Sequence, residues 1–345
     1  MRRFLLFLLP ATILFLAFID KDKSDEKKSQ ILVLSYNVEN LFDTIDSPYS
    51  LDEEFTSMSY KDWNTERYFK KINDLATVFT LVDDQKLPDI ISLCEVENLS
   101  VIEDLKNNPQ LAAMNYQIVH EETTDPRGID VALMYNPEVF KYISHEQLQI
   151  FEDDGKLYNS REILFVKGIV GKDTLYVFVN HWKSRSGGAE KTEYKRIWYA
   201  KVLREKIDYI FSYLPDANII CMGDFNDTPF DKSINEYLNA SLDSVFENKN
   251  ELFNLTAFLA KKGKGTYSYD TEWFMLDNII VSQSIMNKKN GIYAESCAKV
   301  LKNDFLQKYN SKANDTIPFK TYGGNTYFGG VSDHFAVYAY FTVRK

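Results

Sequence analysis

Eight short apolar runs, each the length of a strand, narrow what this chain can fold into more than any other feature. They are Ile31–Tyr36, Asp89–Leu93, Val131–Tyr135, Ile163–Val170, Leu175–Val179, Asn218–Met222, Leu276–Val281 and Phe335–Val343. Most are rich in β-branched or aromatic residues and bounded by turn formers, so they read as buried strands. Two longer stretches show helical spacing instead. Asn64–Leu81 carries apolar residues at Tyr68, Ile72, Leu75, Val78 and Phe79, with Pro88 beyond its end, and Glu193–Leu214 repeats the pattern. Strands and helices alternate over the first two thirds, and the last third is richer in strands and loops. That mixture points to an α/β or α+β chain with more than one sheet. A hydrophobic content of 45%, with 14% aromatic residues, supplies a core large enough for such a fold. Neither an internal repeat nor an interior Gly/Ser/Pro linker divides it. The acidic, aperiodic segment 43–63 reads as a long loop.

The N-terminus is built differently. Arg2 and Arg3 precede an apolar run from Phe4 to Ile19, broken only by Pro10, and the polar stretch Asp20–Ser29 follows at once. This is the layout of a secretory signal. The expected organisation is a signal peptide or N-terminal anchor over 1–19, a polar linker over 20–30, and one domain over 31–345. The expected location is periplasmic or secreted, with membrane attachment only through this segment if it stays uncleaved. At ~1.5 Å per residue the run is shorter than a hydrocarbon core of ~30 Å.

A net charge of −10 disfavours a duplex-DNA binder that relies on a broad basic face. Three cysteines, Cys94, Cys221 and Cys297, form no CxxC pair and imply neither a zinc ribbon nor a disulfide framework. Cys94 and Cys221, in apolar runs, read as small core residues. His120 and His145 stand in polar surroundings and read as surface residues.

The remaining chemistry gathers at strand ends. Asn37 and Glu39 follow ILVLSY, Glu95 follows DIISLC, Asn180 and His181 follow LYVFV, and Asp224 and Asn226 follow NIICMG. Asp277 sits beside IIVS, and Asp333 and His334 precede FAVYAYF. Strand ends collect along one edge of a sheet, so side chains far apart in sequence can converge. Carboxylates brought together would repel one another, and a hard divalent cation would relieve this. Oxygen ligands without cysteine favour Mg²⁺, with Mn²⁺ as the alternative, over zinc. Histidines beside carboxylates suit acid–base work or charge stabilisation, and asparagines orient water or phosphate oxygens. The set suits hydrolysis at phosphorus. Asp277 in an apolar strand needs a partner to offset its desolvation.

In chain order, NVENLFD, LCEVEN, RGIDVALMY, NHWKSRSGG, MGDFNDTP, LDNIIVS and GGVSDHFAV resemble the motif series of the endonuclease/exonuclease/phosphatase (DNase I-like) superfamily, and in particular its secreted or periplasmic bacterial branch. The resemblance spans about residues 31–343. It implies a four-layer α/β sandwich of two mixed β-sheets packed face to face, with helices on both outer faces and the site at one end. It implies Mg²⁺ on Glu95, with Asn37, Glu39 and Asp333 in or near its shell. Asp224 would orient or deprotonate the attacking water with Asn226 beside it. Asp277 would fix the tautomer of His334, which would act on a phosphoryl oxygen, and His181 would face the phosphate. The base is left between Asp224 and a histidine. Lys183, Arg185 and Arg127 read as phosphate contacts, because arginine forks suit phosphate oxygens, and Asn180 joins them as a substrate contact.

The expected function is an Mg²⁺-dependent phosphodiesterase or nuclease working by in-line attack of water. The alternatives are a phosphatase or phosphodiesterase acting on a small metabolite or lipid headgroup, and a binding module that kept the fold. A phosphoester is the expected partner, with nucleic acid among the candidates, and no stable protein partner is expected. Aromatic residues of the loops 43–63 and 303–330 (Tyr49, Phe55, Tyr60, Trp63, Tyr322, Tyr327 and Phe328) are candidates for stacking a base or sugar.

Overall fold

Alternation along the first strand, β1 (Lys28–Leu41), sets the layers. Ile31 and Val33 join one buried cluster, and Leu32 and Leu34 join another on the opposite face. Both faces are therefore covered, which is why the run is apolar throughout. The structure is a computed structural model that describes residues 28–344 apart from 244, 245, 247 and 249. The expected signal or anchor over 1–19 lies outside the described residues. Residues 28–30, read as linker, are already strand: Lys28 pairs with Arg344 and Gln30 with Thr342. No helix among the described residues is long and apolar enough to cross a membrane.

β1, β2 (Ile90–Val96), β3 (Gln117–His120) and β4 (Asp130–Tyr135) belong to one seven-stranded sheet. Its order is Ile292–Ala294, Val337–Arg344, β1, β2, β4, β3, with Lys299–Val300 also pairing on Val337–Arg344. β1 and β2 run parallel, and the other pairs are antiparallel. β5 (Phe140–Leu148), β6 (Ile163–Val170), β7 (Asp173–His181) and β8 (Asn218–Asp224) continue into a second seven-stranded sheet through Asp277–Ser282, Leu252–Asn254 and Ala240–Ser241. Here β7 and β8 are parallel and β8 is antiparallel to Asp277–Ser282.

The inner faces share one cluster, in which Val33, Val131 and Leu133 meet Val166, Val177, Val179, Ile220 and Ile279. Outside the first sheet, α1 (Thr65–Thr80) and α2 (Leu99–Lys106) pack on Leu32, Leu34 and Ile91 through Leu75, Phe79 and Ile102. Their N-termini are capped by Asn64 and Asn98, which accept from the amides of Arg67 and Val101. Outside the second sheet, α3 (Ala189–Tyr213) packs Leu203 and Ile207 against Tyr176 and Phe178. The chain is thus the expected four-layer α/β sandwich. β5 gave no signal in the sequence because it is a largely exposed edge strand without an apolar run.

Candidate active site

Parallel pairing carries the ends of β1 and β2 to the same edge, and likewise β7 and β8. Asn37 is level with Cys94, and His181 with Asp224. The antiparallel strand Asp277–Ser282 begins where β8 ends, so Asp277 stands opposite Asp224. The thiol of Cys94 donates to the carbonyl of Asn180 at 3.2 Å, joining the two sheets beneath the site. His334 lies on the segment before Val337–Arg344, bridged to Tyr267. A cleft of about 800 Å³ opens here, lined among others by Glu95, Arg127, Arg161, His181, Arg185, Asp224, Asn226, Asp333 and His334.

Asp224 is the hub. Its Oδ2 accepts from the amides of Asn37 at 3.0 Å and Asn226 at 3.1 Å, and its Oδ1 accepts from the Asn226 backbone at 2.8 Å. The Nε2 atoms of His334 and His181 lie 3.9 and 3.8 Å from Oδ2. Burial pushes the Asp224 carboxyl up to about 7; His334 pulls it down and Asp277 pushes it further up. Asp277 is fully buried and bonds Nδ1 of His334 at 2.7 Å, so the partner its desolvation demands is this imidazole. Burial works against charge on His334, but Asp277 and Asp224 overcome it and hold its pKa well above the ordinary value. His181 goes the other way: burial first, then Arg161 and Arg127, hold it well below, and its Nδ1 has no hydrogen-bond partner among the described residues. The two histidines are thus pushed in opposite directions, His334 toward its charged form and His181 toward its neutral one.

Glu95 accepts from Asn37 Nδ2 at 3.0 Å and from the Asn40 amide at 2.9 Å, and its Oε1 is 3.7 Å from His181 Nε2. Its backbone, at φ +65°, is left-handed, as is that of Asn226 at +51°. Asp333 lines the cleft with Glu95. Its pKa is raised by burial and, against the pull of His334, by the nearby Glu95 carboxylate.

Four expected contacts are placed otherwise. Glu39 does not line the cleft. Positive φ at Glu39 and Asn40 and a register break after Asn37 cancel the two-residue alternation, and the Glu39 carboxylate accepts from the amides of Thr321 and Tyr322 instead. Asn180 is fully buried; its amide donates to Phe178 and Met222 carbonyls and its oxygen accepts from the Trp182 indole, so it builds the floor. Arg185 reaches the cleft, but its fork is taken by the Asn226 carbonyl at 2.8 Å and by Asp227 and Asp231. Lys183 does not line the cleft. Asn37 faces the site, with its carbonyl oxygen turned to the Glu39 amide and its nitrogen to Glu95 and Asp224. Arg127 stands half exposed at the rim, held by Asp125.

His120 is not a surface residue: its side chain is 4% exposed and bonds Asp130 at 2.8 Å. Phe55, Trp63 and Tyr322 pack into the core instead of facing ligand. Two charged groups escaped the sequence reading. Arg161, 2% exposed, donates to the carbonyls of His181 and Trp182 and to Asp125. Lys71 reaches from α1 to the Glu39 and Val331 carbonyls and the Thr321 hydroxyl. Its signal was in the periodicity, because a lysine three residues after Tyr68 and four before Leu75 sits on the apolar face of the helix.

Residues 32–344 match the profile of the Endonuclease/Exonuclease/phosphatase family. No curated protein matches the chain. Among solved structures it is similar to the human nocturnin catalytic domain with bound sulfate, at 17% identity and TM-score 0.56, covering 91% of this chain and 96% of that one. It is similar to D. rerio TDP2 complexed with single-strand DNA product, at 17% identity and TM-score 0.56, covering 91% and 99%. A family protein of Bacteroides thetaiotaomicron gives 16% identity and TM-score 0.55, covering 92% and 97%. These likenesses concern the fold.

Proposed function

This chain belongs to the endonuclease/exonuclease/phosphatase family, phosphoric ester hydrolases that use divalent metal ions, and from that premise we propose that it is an Mg²⁺-dependent phosphodiesterase of the nuclease kind. The observation that carries the reading is the His334 imidazole, bonded through Nδ1 to Asp277 at 2.7 Å and facing Asp224 across 3.9 Å. The donor set beside it fits a hard cation: Glu95 and Asp333 line one cleft, the Glu95 carboxylate makes Asp333 costlier to ionise, and there is no thiol among the lining residues. Glu95 and Asp333 would hold the ion, with Asn37 bracing Glu95, and the ion would neutralise charge developing on the phosphoryl oxygens.

The protein groups divide the rest of the work. Two amides, from Asn37 and Asn226, fix Asp224 so that its oxygen can orient a water and take its proton. His334, its Nδ1–H bound to Asp277, points Nε2–H at a non-bridging phosphoryl oxygen and stabilises the charge that gathers there. His181, held neutral, contributes a hydrogen bond without adding charge. Arg127 at the rim supplies a guanidinium for a flanking phosphate.

The test is a panel of single-stranded and plasmid DNA, RNA, a nitrophenyl diester and phosphomonoesters, each with Mg²⁺ or EDTA. Diester cleavage that EDTA abolishes, and that Glu95→Gln shifts to at least ~10-fold higher Mg²⁺, supports the reading. Cleavage of monoesters alone, or cleavage indifferent to EDTA, overturns it. The arginine-led apolar run of residues 1–19 supports export of the chain, as in a secreted or periplasmic branch of the family. Recovery of the full-length chain only from the cytoplasmic fraction would remove that proposal.

A further inference from the structure

Away from the cleft, a second group of ionisable side chains converges on one point. β3 ends at His120 and β4 begins at Asp130. Their antiparallel pairing sets His120 opposite Ala132, so His120 and Asp130 are diagonal neighbours across the hairpin. Glu122 follows two residues after His120, in the loop that joins the strands. One ligand atom from each of the three lies within 4.8 Å of the others. The Nε2 of His120 and the Oδ2 of Asp130 are 2.8 Å apart, on side chains 4% and 1% exposed, while Glu122 is exposed.

The charge at this point is unbalanced. Among the described residues no lysine or arginine pairs with Asp130 or Glu122, and the other Asp130 oxygen accepts from the Thr123 amide at 2.8 Å. Burial, then the Asp130 carboxylate, push the Glu122 carboxyl up against the pull of His120. A proton on the imidazole offsets only one of the two negative charges, and one of those carboxylates is out of water.

The arrangement also has the other features a divalent ion needs. Two metal–ligand bonds of ~2.0–2.2 Å at right or tetrahedral angles set their donor atoms about 3 Å apart, close to the spacing of His120 and Asp130. Thr123 fixes the Asp130 carboxylate through its amide and the Ile129 carbonyl through its hydroxyl, so the ligand is oriented from behind. Glu122 and Thr123 line a separate cavity of about 560 Å³ with Asp43, Asp46, Glu97 and Asp125, an acidic way in with room for water on the ion. A buried imidazole nitrogen beside two carboxylates suits Zn²⁺, whereas Mg²⁺ takes oxygen ligands.

We propose that His120, Glu122 and Asp130 form a second metal site, separate from the Glu95–Asp333 position and selective for Zn²⁺ over Mg²⁺. Its ligands stand at both ends of the loop between β3 and β4. That loop carries Asp125, which holds Arg161 at 2.6 Å and Arg127 at 3.1 Å. The ion closes the loop at its base and so braces the rim of the cleft without touching the reacting groups.

Untagged full-length protein, stripped with EDTA and returned to excess Mg²⁺, is titrated with Zn²⁺ by calorimetry, and its melting temperature is followed over the same range. One Zn²⁺ site is expected, with a melting temperature that climbs as Zn²⁺ is added. Glu122→Gln alters an exposed side chain and should keep the metal-free melting temperature, yet weaken Zn²⁺ binding at least ~10-fold. Glu95→Gln should leave Zn²⁺ affinity as it is. Absence of Zn²⁺ binding in Mg²⁺, binding that Glu95→Gln weakens and Glu122→Gln does not, or the same thermal response in wild type and Glu122→Gln would overturn the site. None of these readouts depends on hydrolysis, so the site stands or falls apart from the phosphodiesterase reading.

Discussion

At the scale of single residues, charge is managed by pairing across elements. Asp277 and His334 are the clearest case, a buried carboxylate whose cost is met by one imidazole 57 positions away. Asp277→Asn keeps the shape and loses the charge, so kcat should fall ~10²–10⁴-fold with KM little changed. A matching fall in helical circular dichroism would instead mean a folding defect. Asp125 makes a second case. Burial pushes its carboxyl up, but Arg127 and Arg161 overcome this and leave it below its ordinary value. The folded state therefore binds that proton less readily than the unfolded chain. Its contribution is full at neutral pH and is lost as pH falls below about 4 and through the depressed value. The gap in melting temperature between wild type and Asp125→Asn should hold steady from about pH 7 to 5 and narrow below about 4. A gap that widens in acid would contradict the pairing.

Among elements, the ends of strands carry the candidate site and their spacing sets its geometry. β7 and β8 run so close that a Cβ on Gly223 would lie 1.9 Å from the Asn180 carbonyl oxygen, and Gly223 holds φ +136°. Gly223→Ala should cost about 3 kcal/mol or more, because the clash and the backbone strain add. Chemical denaturation reads this directly, and an unchanged midpoint would show that the strands are not packed this tightly. β1 shows the converse. Its core half obeys alternation, so it was legible as apolar sequence. Its last residues leave the pattern through positive φ at Glu39 and Asn40, and that break moved Glu39 from the cleft to the backbone of Thr321 and Tyr322. The hairpin of Tyr267–Tyr269 and Glu272–Phe274 was invisible for a related reason: its strands are three residues long and Tyr267, Tyr269 and Phe274 line the cleft, so they form no apolar run.

At the scale of the whole molecule, the described residues form three apolar clusters, and the candidate site spans two sheets. The Cys94–Asn180 contact and the shared inner cluster tie those sheets together. Leu203, fully buried on α3, packs in the outermost cluster on the second sheet. Leu203→Ala should cost ~2–5 kcal/mol. If the sandwich melts as one unit, loss of activity and loss of near-ultraviolet circular dichroism should follow the same shifted curve. Separate transitions would mean that the outer helix layer unfolds independently of the site.

The sequence by itself determined the layered α/β architecture, because strand-length and helix-length apolar patterns encode which faces are buried. It also picked out most of the side chains that the fold brings together in the candidate site, because Glu95, His181, Asp224, Asp277, Asp333 and His334 interrupt or end apolar runs where a polar group needs a reason. Only the tertiary structure decided which polar groups face the cleft and which brace it. Arg185, Asn180, Glu39, Arg161 and Lys71 are assigned by partners remote in sequence: Asp227, Trp182, Thr321, the His181 carbonyl and Val331. A side chain's chemistry is local, but the desolvation and hydrogen bonds that direct it come from whatever the fold places beside it.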